Sequence, residues 1–172
     1  MNQALSTMIN RILTHDQIQH IAKRIAYQIY ETNVDEKEIV VAGIKGSGES
    51  FAKKIIAVLK KITDAKIIFC QVDMNKKNPL ESGVKTSLSS EEYTKKSIVL
   101  VDDVLNSGTT LIYGTHHFLK TPIKRLKTAV LVNRNHKKYP IKADFKGISL
   151  STSLNEHIKV DFEPKNNAVY LE

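Results

Sequence analysis

Cysteine is nearly absent from the chain: Cys70 is the one thiol among 172 residues. A single thiol excludes an internal disulfide, and the length is enough to bury a core instead. A reducing, cytoplasmic setting is expected. Cys70 sits in the apolar run IIFC, which predicts a buried, inert thiol. No apolar run has the length of a membrane span. The mixed opening MNQALSTMINRIL lacks an uninterrupted apolar stretch before a cleavage site, so neither a membrane span nor a secretory leader is expected. Internal repeats and low-complexity tracts are missing too, and the length predicts one domain over residues 1–172. The histidines offer no ligand-spaced set. His116 and His117 are adjacent and point apart on a helix, and His15, His20, His136 and His157 are scattered, so packing or surface roles are expected. Acidic residues are outnumbered, 18 Asp and Glu against 26 Lys and Arg, for a net charge of +8. Such a field favours phosphate-bearing ligands, nucleotides and RNA among them, although scattered lysines also make an ordinary solvated surface.

What is present is a regular alternation. Thr14-His15-Asp16-Gln17 reads as a capping box, a hydroxyl followed three residues on by Gln. Ile18, Ile21, Ala22, Ile25, Ala26 and Ile29 follow at helical spacing and predict an inward face, with Lys23, Arg24 and Tyr27 turned outward. IVVAGI (39–44), AKIIFCQV (65–72), SIVLV (97–101) and KTAVLVN (127–133) read as buried strands. Residues from Glu49 to about Thr63, and LIYGTHHFLK (111–120), suit helices. Apolar strands separated by helices predict an α/β fold, a parallel sheet with helices on both faces. Residues 73–96 carry no convincing period. From Ile141 onward FKGISL, HIKVDF and AVYLE predict a small C-terminal β hood, a cap or edge addition to the same domain.

Residues 97–110, SIVLVDDVLNSGTT, carry the chemistry. Ligands of open parallel sheets bind beyond the carboxyl ends of strands. Asp102 and Asp103 are placed at such an end, where two adjacent carboxylates need water, donors or a cation. Ribose hydroxyls and Mg²⁺ both qualify. Asn106-Ser107-Gly108-Thr109-Thr110 then turns the chain into a helix. N–H groups at such a turn face an anion, the helix dipole assists, and three hydroxyls add donors. Acids followed closely by a phosphate cradle match the hydroxyls and phosphate of a ribose 5-phosphate. A receiver-like signalling domain also has paired acids, but at an early strand; here the first strand ends in Gly43-Ile44-Lys45.

A second loop, AGIKGSGES (42–50), nearly spells a P-loop, with four residues between Gly43 and Gly48. Glu49 stands where the essential lysine belongs, so an NTPase reading fails. A lysine-bearing glycine loop at a strand end still suits a second anion. The segment DMNKKNPLESGVKTSLSSEEYTKK (73–96) is long for a structureless connection, which suggests a lid. Its Lys76, Lys77 and Lys85 are candidates to meet an anion.

LVDDVLNSGTT resembles the phosphoribosyl diphosphate motif of the type I phosphoribosyltransferases. The resemblance extends over nearly the whole chain, to the branch of pyrimidine operon attenuation regulators with uracil phosphoribosyltransferase activity. GIK (43–45), LVDDVL (100–105), LVNRNHKKYPIKADF (131–145), STS (151–153), AVYLE and the opening helix HIAKRIAYQIYETN carry it. It implies transfer of a phosphoribosyl group from phosphoribosyl diphosphate to a nucleobase, uracil first, giving a nucleoside monophosphate. Asp102 and Asp103 would hold the ribose hydroxyls directly or through Mg²⁺, and Asn106 to Thr110 would cradle the 5-phosphate. Lys45, Gly46 and Ser47 match the diphosphate loop; Asp102, Asp103 and Lys45 form the implied catalytic set. Residues 73–96 fall where the family has a mobile catalytic loop. A closed site is needed there because water would capture the oxocarbenium-like sugar. Arg134 would lie in the hood on the base side. The family implies a homodimer or higher oligomer, and its regulator branch implies RNA contacts at Lys23, Lys137, Lys138 and Lys142.

The chain also departs from the branch. Gly46-Ser47 replaces Thr-Arg, Asn106-Ser107-Gly108-Thr109 replaces Tyr-Thr-Gly-Arg, and Asn133 replaces Asp. Two phosphate-side arginines are therefore missing, and neither Ser47 nor Thr109 supplies a bidentate fork. Purine-using relatives often carry Asp at the Asn106 position as a proton acceptor. An amide cannot serve as that base, which ranks uracil above hypoxanthine or guanine.

Overall fold

The computed structural model describes residues 10–172. Among these the order is β1 (Arg11–Leu13), α1 (His15–Glu31), β2 (Glu38–Ile44), α2 (Ser47–Ile62), β3 (Lys66–Asp73), α3 (Pro79–Ser82), β4 (Lys85–Thr86), α4 (Ser90–Tyr93), β5 (Ser97–Leu105), α5 (Thr109–Leu119), β6 (Arg125–Arg134), β7 (Phe145–Leu150), β8 (Ile158–Asp161) and β9 (Ala168–Leu171). The expected capping box opens α1. Thr14 N–H donates to Gln17 Oε1 at 2.9 Å, and Gln17 N–H to Thr14 Oγ1 at 3.3 Å. All six apolar positions set by the helical spacing are buried, and Lys23, Arg24 and Tyr27 are exposed.

Six strands form one sheet in the order β4-β3-β2-β5-β6-β7. The five from β3 to β7 run parallel, while β4 pairs antiparallel with the end of β3. Residues 39–44 of β2 are all buried, as a continuous apolar run covered on both faces requires. α1 and α2 cover one face, where Phe51, Ile55 and Leu59 pack with Val41 and Val99. α5 covers the other, where Leu111 and Phe118 pack with Val40, Ala42 and Leu100. Each such fully buried Leu, Ile or Phe contributes about 1.5–3 kcal/mol. The chain leaves β2 for β3 on one side and returns to β5 on the other. At this switch point the loops after β2 and β5 diverge and open a crevice.

Two expectations change and one narrows. Residues 73–96 are not structureless: they contain α3, β4 and α4. Pro79 and Tyr93 are buried, and the Tyr93 ring meets Phe118 edge-on with centroids 5.1 Å apart, so tertiary contacts fix elements too short to show a period. Of the cap and edge positions open to the tail, FKGISL takes the edge rather than the hood. It is β7, the edge of the main sheet, parallel to β6. The hood is the three-stranded antiparallel sheet β1-β9-β8, and its β1 comes from residues before the first helix.

Cys70 is fully buried in β3, and burial pushes its thiol upward. A thiol reagent should therefore label the native protein at least ~10³-fold more slowly than the guanidinium-unfolded chain, because access needs an opening event. Comparable rates in the two states would contradict this packing.

Candidate active site

β5 runs past the predicted end at Val101 as far as Leu105, so both acids lie within its final residues. Successive strand residues face opposite sides, and the two carboxylates differ accordingly. Asp102 is 3% exposed and Asp103 is half-buried. Asp102 Oδ1 accepts the Asp103 N–H at 2.9 Å, and Asp103 Oδ1 accepts the Val104 N–H at 2.8 Å. Burial, and next the charge of Asp103, hold the Asp102 carboxyl well above the usual carboxylate range, while Lys76 pulls it back. The ammonium of Lys76 stands 3.8 Å from Asp102 Oδ1. Of the three lysines singled out in residues 73–96 it is the one that reaches this carboxylate; Lys77 and Lys85 are exposed.

Asp102 and residues 104–111 line one small hollow, which brings Asn106, Ser107, Gly108, Thr109 and Thr110 together as expected; Asp103 does not line it. Gly108, at φ 85°, turns the chain from β5 into α5. In the first turn of α5 the Thr109 N–H donates to Ser107 Oγ at 3.3 Å, while those of Thr110 and Leu111 have no helical carbonyl to meet and are available to an anion. Ser107 Oγ and Thr109 Oγ1 share a hydrogen bond of 2.8 Å. The Lys138 N–H donates to Ser107 O at 2.7 Å and anchors the loop from outside.

Lys45, Gly46 and Ser47 follow β2 on the other side of the switch point. The Lys45 ammonium pairs with Asp73 at 2.9 Å, both half-exposed. Gly46 has φ 97° and starts α2, where the Ser50 N–H reaches Gly46 O at 3.1 Å. The next glycine joins the two loops, since a Cβ on Gly48 would lie 2.8 Å from Asp102 Oδ1. Glu49 accepts from Lys53 Nζ at 2.6 Å and from Gln71 Nε2 at 2.8 Å, and these partners hold its carboxyl below the usual range.

Arg134 does not present a free guanidinium to a base. It is 4% exposed and bonds Asn106, Thr152, Ser153 and Glu156. Lys23, Lys137, Lys138 and Lys142 are all exposed; Lys23 is on α1 and the other three lie between β6 and β7. Three histidines pack or bond within the fold: His15 meets Asn167 at 2.9 Å, His136 meets Thr152 O at 2.6 Å, and His117 lies against Phe118; His20, His116 and His157 are exposed. Sequence reasoning missed Asp73 as the partner of Lys45. Its position at the carboxyl end of β3 was the available signal.

The residues match known proteins along most of the chain. Residues 8–167 match the family model described as the phosphoribosyl transferase domain. The bifunctional protein PyrR of Streptococcus pneumoniae is 34% identical over 146 residues, which is 84% of this chain and 84% of that protein. A hypoxanthine-guanine phosphoribosyltransferase of Bacillus anthracis has a TM-score of 0.70 at 24% identity, over 83% of this chain and 82% of that one. The hypoxanthine phosphoribosyltransferase of Trypanosoma cruzi has a TM-score of 0.74 at 16% identity, over 94% and 95% of the two chains. At such identities these two structures establish a shared fold.

Proposed function

This chain belongs to the phosphoribosyl transferase family, and we propose that it transfers the 5-phosphoribosyl group of phosphoribosyl diphosphate to uracil and releases diphosphate. The observation that carries this reading is the carboxylate pair of β5 directly followed by the donor loop 106–110, packed against the Lys45 loop at the β2–β5 switch point. Asp102 and Asp103 accept hydrogen bonds from the ribose hydroxyls. Residues 106–110 bind the 5-phosphate through N–H and hydroxyl donors. Lys45, with the N–H groups of Gly46 and Ser47, faces the diphosphate as the bond from the sugar carbon breaks. Preorganised donors at departing charge are the main source of rate in such chemistry. Lys76 releases Asp102 when substrate enters and leaves the lid free to exclude water.

The donor set fits Mg²⁺. Among the described residues no group of three or more His, Cys, Asp and Glu could hold a metal, and Mg²⁺ is commonly held by one or two carboxylates plus substrate oxygens and waters. Asp102 and Asp103 would hold it, and it would neutralise charge on the diphosphate. Ser47 and Thr109, where arginines are missing, each lower the rate by about 10²-fold, by analogy with the loss of one oxyanion donor. Asn106 favours uracil over hypoxanthine or guanine, the purine reading being the alternative substrate.

A second role is favoured by the likeness to PyrR and by exposed Lys23, Lys137, Lys138 and Lys142: a nucleotide-sensing regulator that binds RNA. The protein is read as one domain, cytoplasmic and a homodimer or higher homo-oligomer; no helix among the described residues is long and apolar enough to cross a membrane. The deciding assay supplies phosphoribosyl diphosphate and Mg²⁺ with uracil, hypoxanthine, guanine or orotate. Uridine monophosphate should form fastest, and no turnover of any base would sink the enzymatic reading. Binding to a pyrimidine leader RNA should weaken steeply with salt if phosphates are contacted; salt-insensitive or absent binding counts against the regulator.

A further inference from the structure

We propose that Arg134 is a positioning residue that locks the Asn106 side chain so that the 106–110 loop offers its ligand hydrogen-bond donors; this rests on the reading of that loop as a phosphate cradle. Arg134 closes β6 and is buried. Its Nη1 donates to Asn106 Oδ1 at 3.2 Å and its Nε to Thr152 Oγ1 at 2.8 Å. Its Nη2 donates to Ser153 O at 3.2 Å and to Glu156 O at 2.7 Å. Four of the five guanidinium N–H groups are thereby engaged.

A guanidinium has donors only and stays charged. The Asn106 atom facing it must therefore be the carbonyl oxygen, which settles an amide orientation that is otherwise an assignment. The amide nitrogen then points away from Arg134, on a residue that is itself exposed beside the hollow. Asn106 thus faces the ligand as a donor, in line with the N–H groups at the start of α5. A carboxylate at this position would face it as an acceptor.

Charge adds to the effect. The four bonded oxygens of Arg134 are uncharged, and the Glu156 carboxylate accepts the Ser153 N–H instead. That carboxylate still stands close enough for its charge to interact with Arg134, so only part of the field of the buried cation reaches the neighbouring loop. The cation lies directly behind a loop that lacks the arginine of the related branch at Thr109. Thr152, Ser153 and Glu156 belong to the turn between β7 and β8, so one side chain also ties the hood connection to the phosphate loop.

The test measures ribose 5-phosphate affinity by calorimetry for Asn106→Ala, Asn106→Asp, Arg134→Gln and Arg134→Lys. Asn106→Ala should weaken binding about 5-fold through loss of one donor. Asn106→Asp, which keeps nearly the same volume and turns an oxygen toward the phosphate, should weaken it at least about 10-fold beyond that. Arg134→Lys should restore only part of the affinity lost in Arg134→Gln, because an ammonium cannot span these acceptors. Arg134→Gln combined with Asn106→Ala should cost less than the product of the single effects. Asn106→Asp binding as well as Asn106→Ala, or multiplicative single effects, overturns the proposal. If the native protein does not bind ribose 5-phosphate, the phosphate-cradle reading fails instead. The lock is then read without ligand, from the ¹⁵N relaxation of the Asn106 amide. It should be rigid in the native protein and mobile in Arg134→Gln, and equal mobility in both overturns the lock.

Discussion

Asp102→Asn is expected to stabilise the ligand-free protein wherever the buried Asp102 carboxyl is ionised and to abolish most of its phosphoribosyl transfer. Asp102 is buried, and burial with the neighbouring charge of Asp103 raises its carboxyl well above the usual range. A raised pKa means that the native state holds the proton more tightly than the unfolded chain. Its stabilising contribution is complete below the unfolded carboxylate value, near 4, and is lost as pH rises through the folded value. The native protein in EDTA should therefore melt at falling temperature along that window, and Asp102→Asn should not. Once pH has passed the folded value the variant should be more stable by ~1–3 kcal/mol, the cost of a buried polar group left short of partners. The contact with Lys76 at 3.8 Å offsets part of it. With phosphoribosyl diphosphate and Mg²⁺ the order reverses: kcat/KM should fall ~10²–10³-fold, because the amide cannot supply the charge. Asp103→Asn, at a half-buried position, should lose activity without the gain in stability. Parallel melting curves for the native protein and Asp102→Asn from pH 4 to 9 would rule out a strained Asp102. Gained stability with lost activity is what a site held ready for a ligand predicts.

That pairing also shows which parts of the site could be read before the fold was known. The acid pair and the Asn106–Thr110 loop were legible because each rests on adjacent residues whose chemistry acts locally. The rank of the two acids was not, since it depends on α2 approaching Asp102 at Gly48. α1 was legible from six apolar positions in period. The secondary structure of residues 73–96 was not, because its elements hold four, two and four residues, fewer than a helical or strand pattern needs. β1 was invisible for another reason: its partners, Val169 and Tyr170, are at the opposite end of the chain. Arg134 was placed on the base side by resemblance. Its four acceptors lie in two loops, and no spacing in the sequence joins them.

The glycines of the Lys45 loop separate packing from backbone freedom, and Gly48→Ala is the second large effect expected. Its Cβ would stand 2.8 Å from Asp102 Oδ1 and 3.1 Å from both Asp102 Cα and Ile44 Cβ. The carboxylate could swing, but the other two atoms are fixed in the centre of the sheet. α2 must therefore lift away from β5, costing ~1–3 kcal/mol as overpacked cores do. The Lys45 loop moves with it, and a displacement of about 1 Å at a reacting site can cost ~10²-fold in rate. Gly46→Ala is the control. Nothing lies within 4 Å of its Cβ, but at φ 97° an L side chain is strained at ~1–3 kcal/mol. The two variants are thus expected to lose similar stability and to differ at the site. Gly48→Ala should weaken ribose 5-phosphate binding because Asp102 shifts. Gly46→Ala should leave that affinity within about 2-fold and weaken phosphoribosyl diphosphate, whose diphosphate meets the altered loop. Equal ribose 5-phosphate affinity in both variants would mean that the diphosphate and ribose halves of the site are not joined through Gly48.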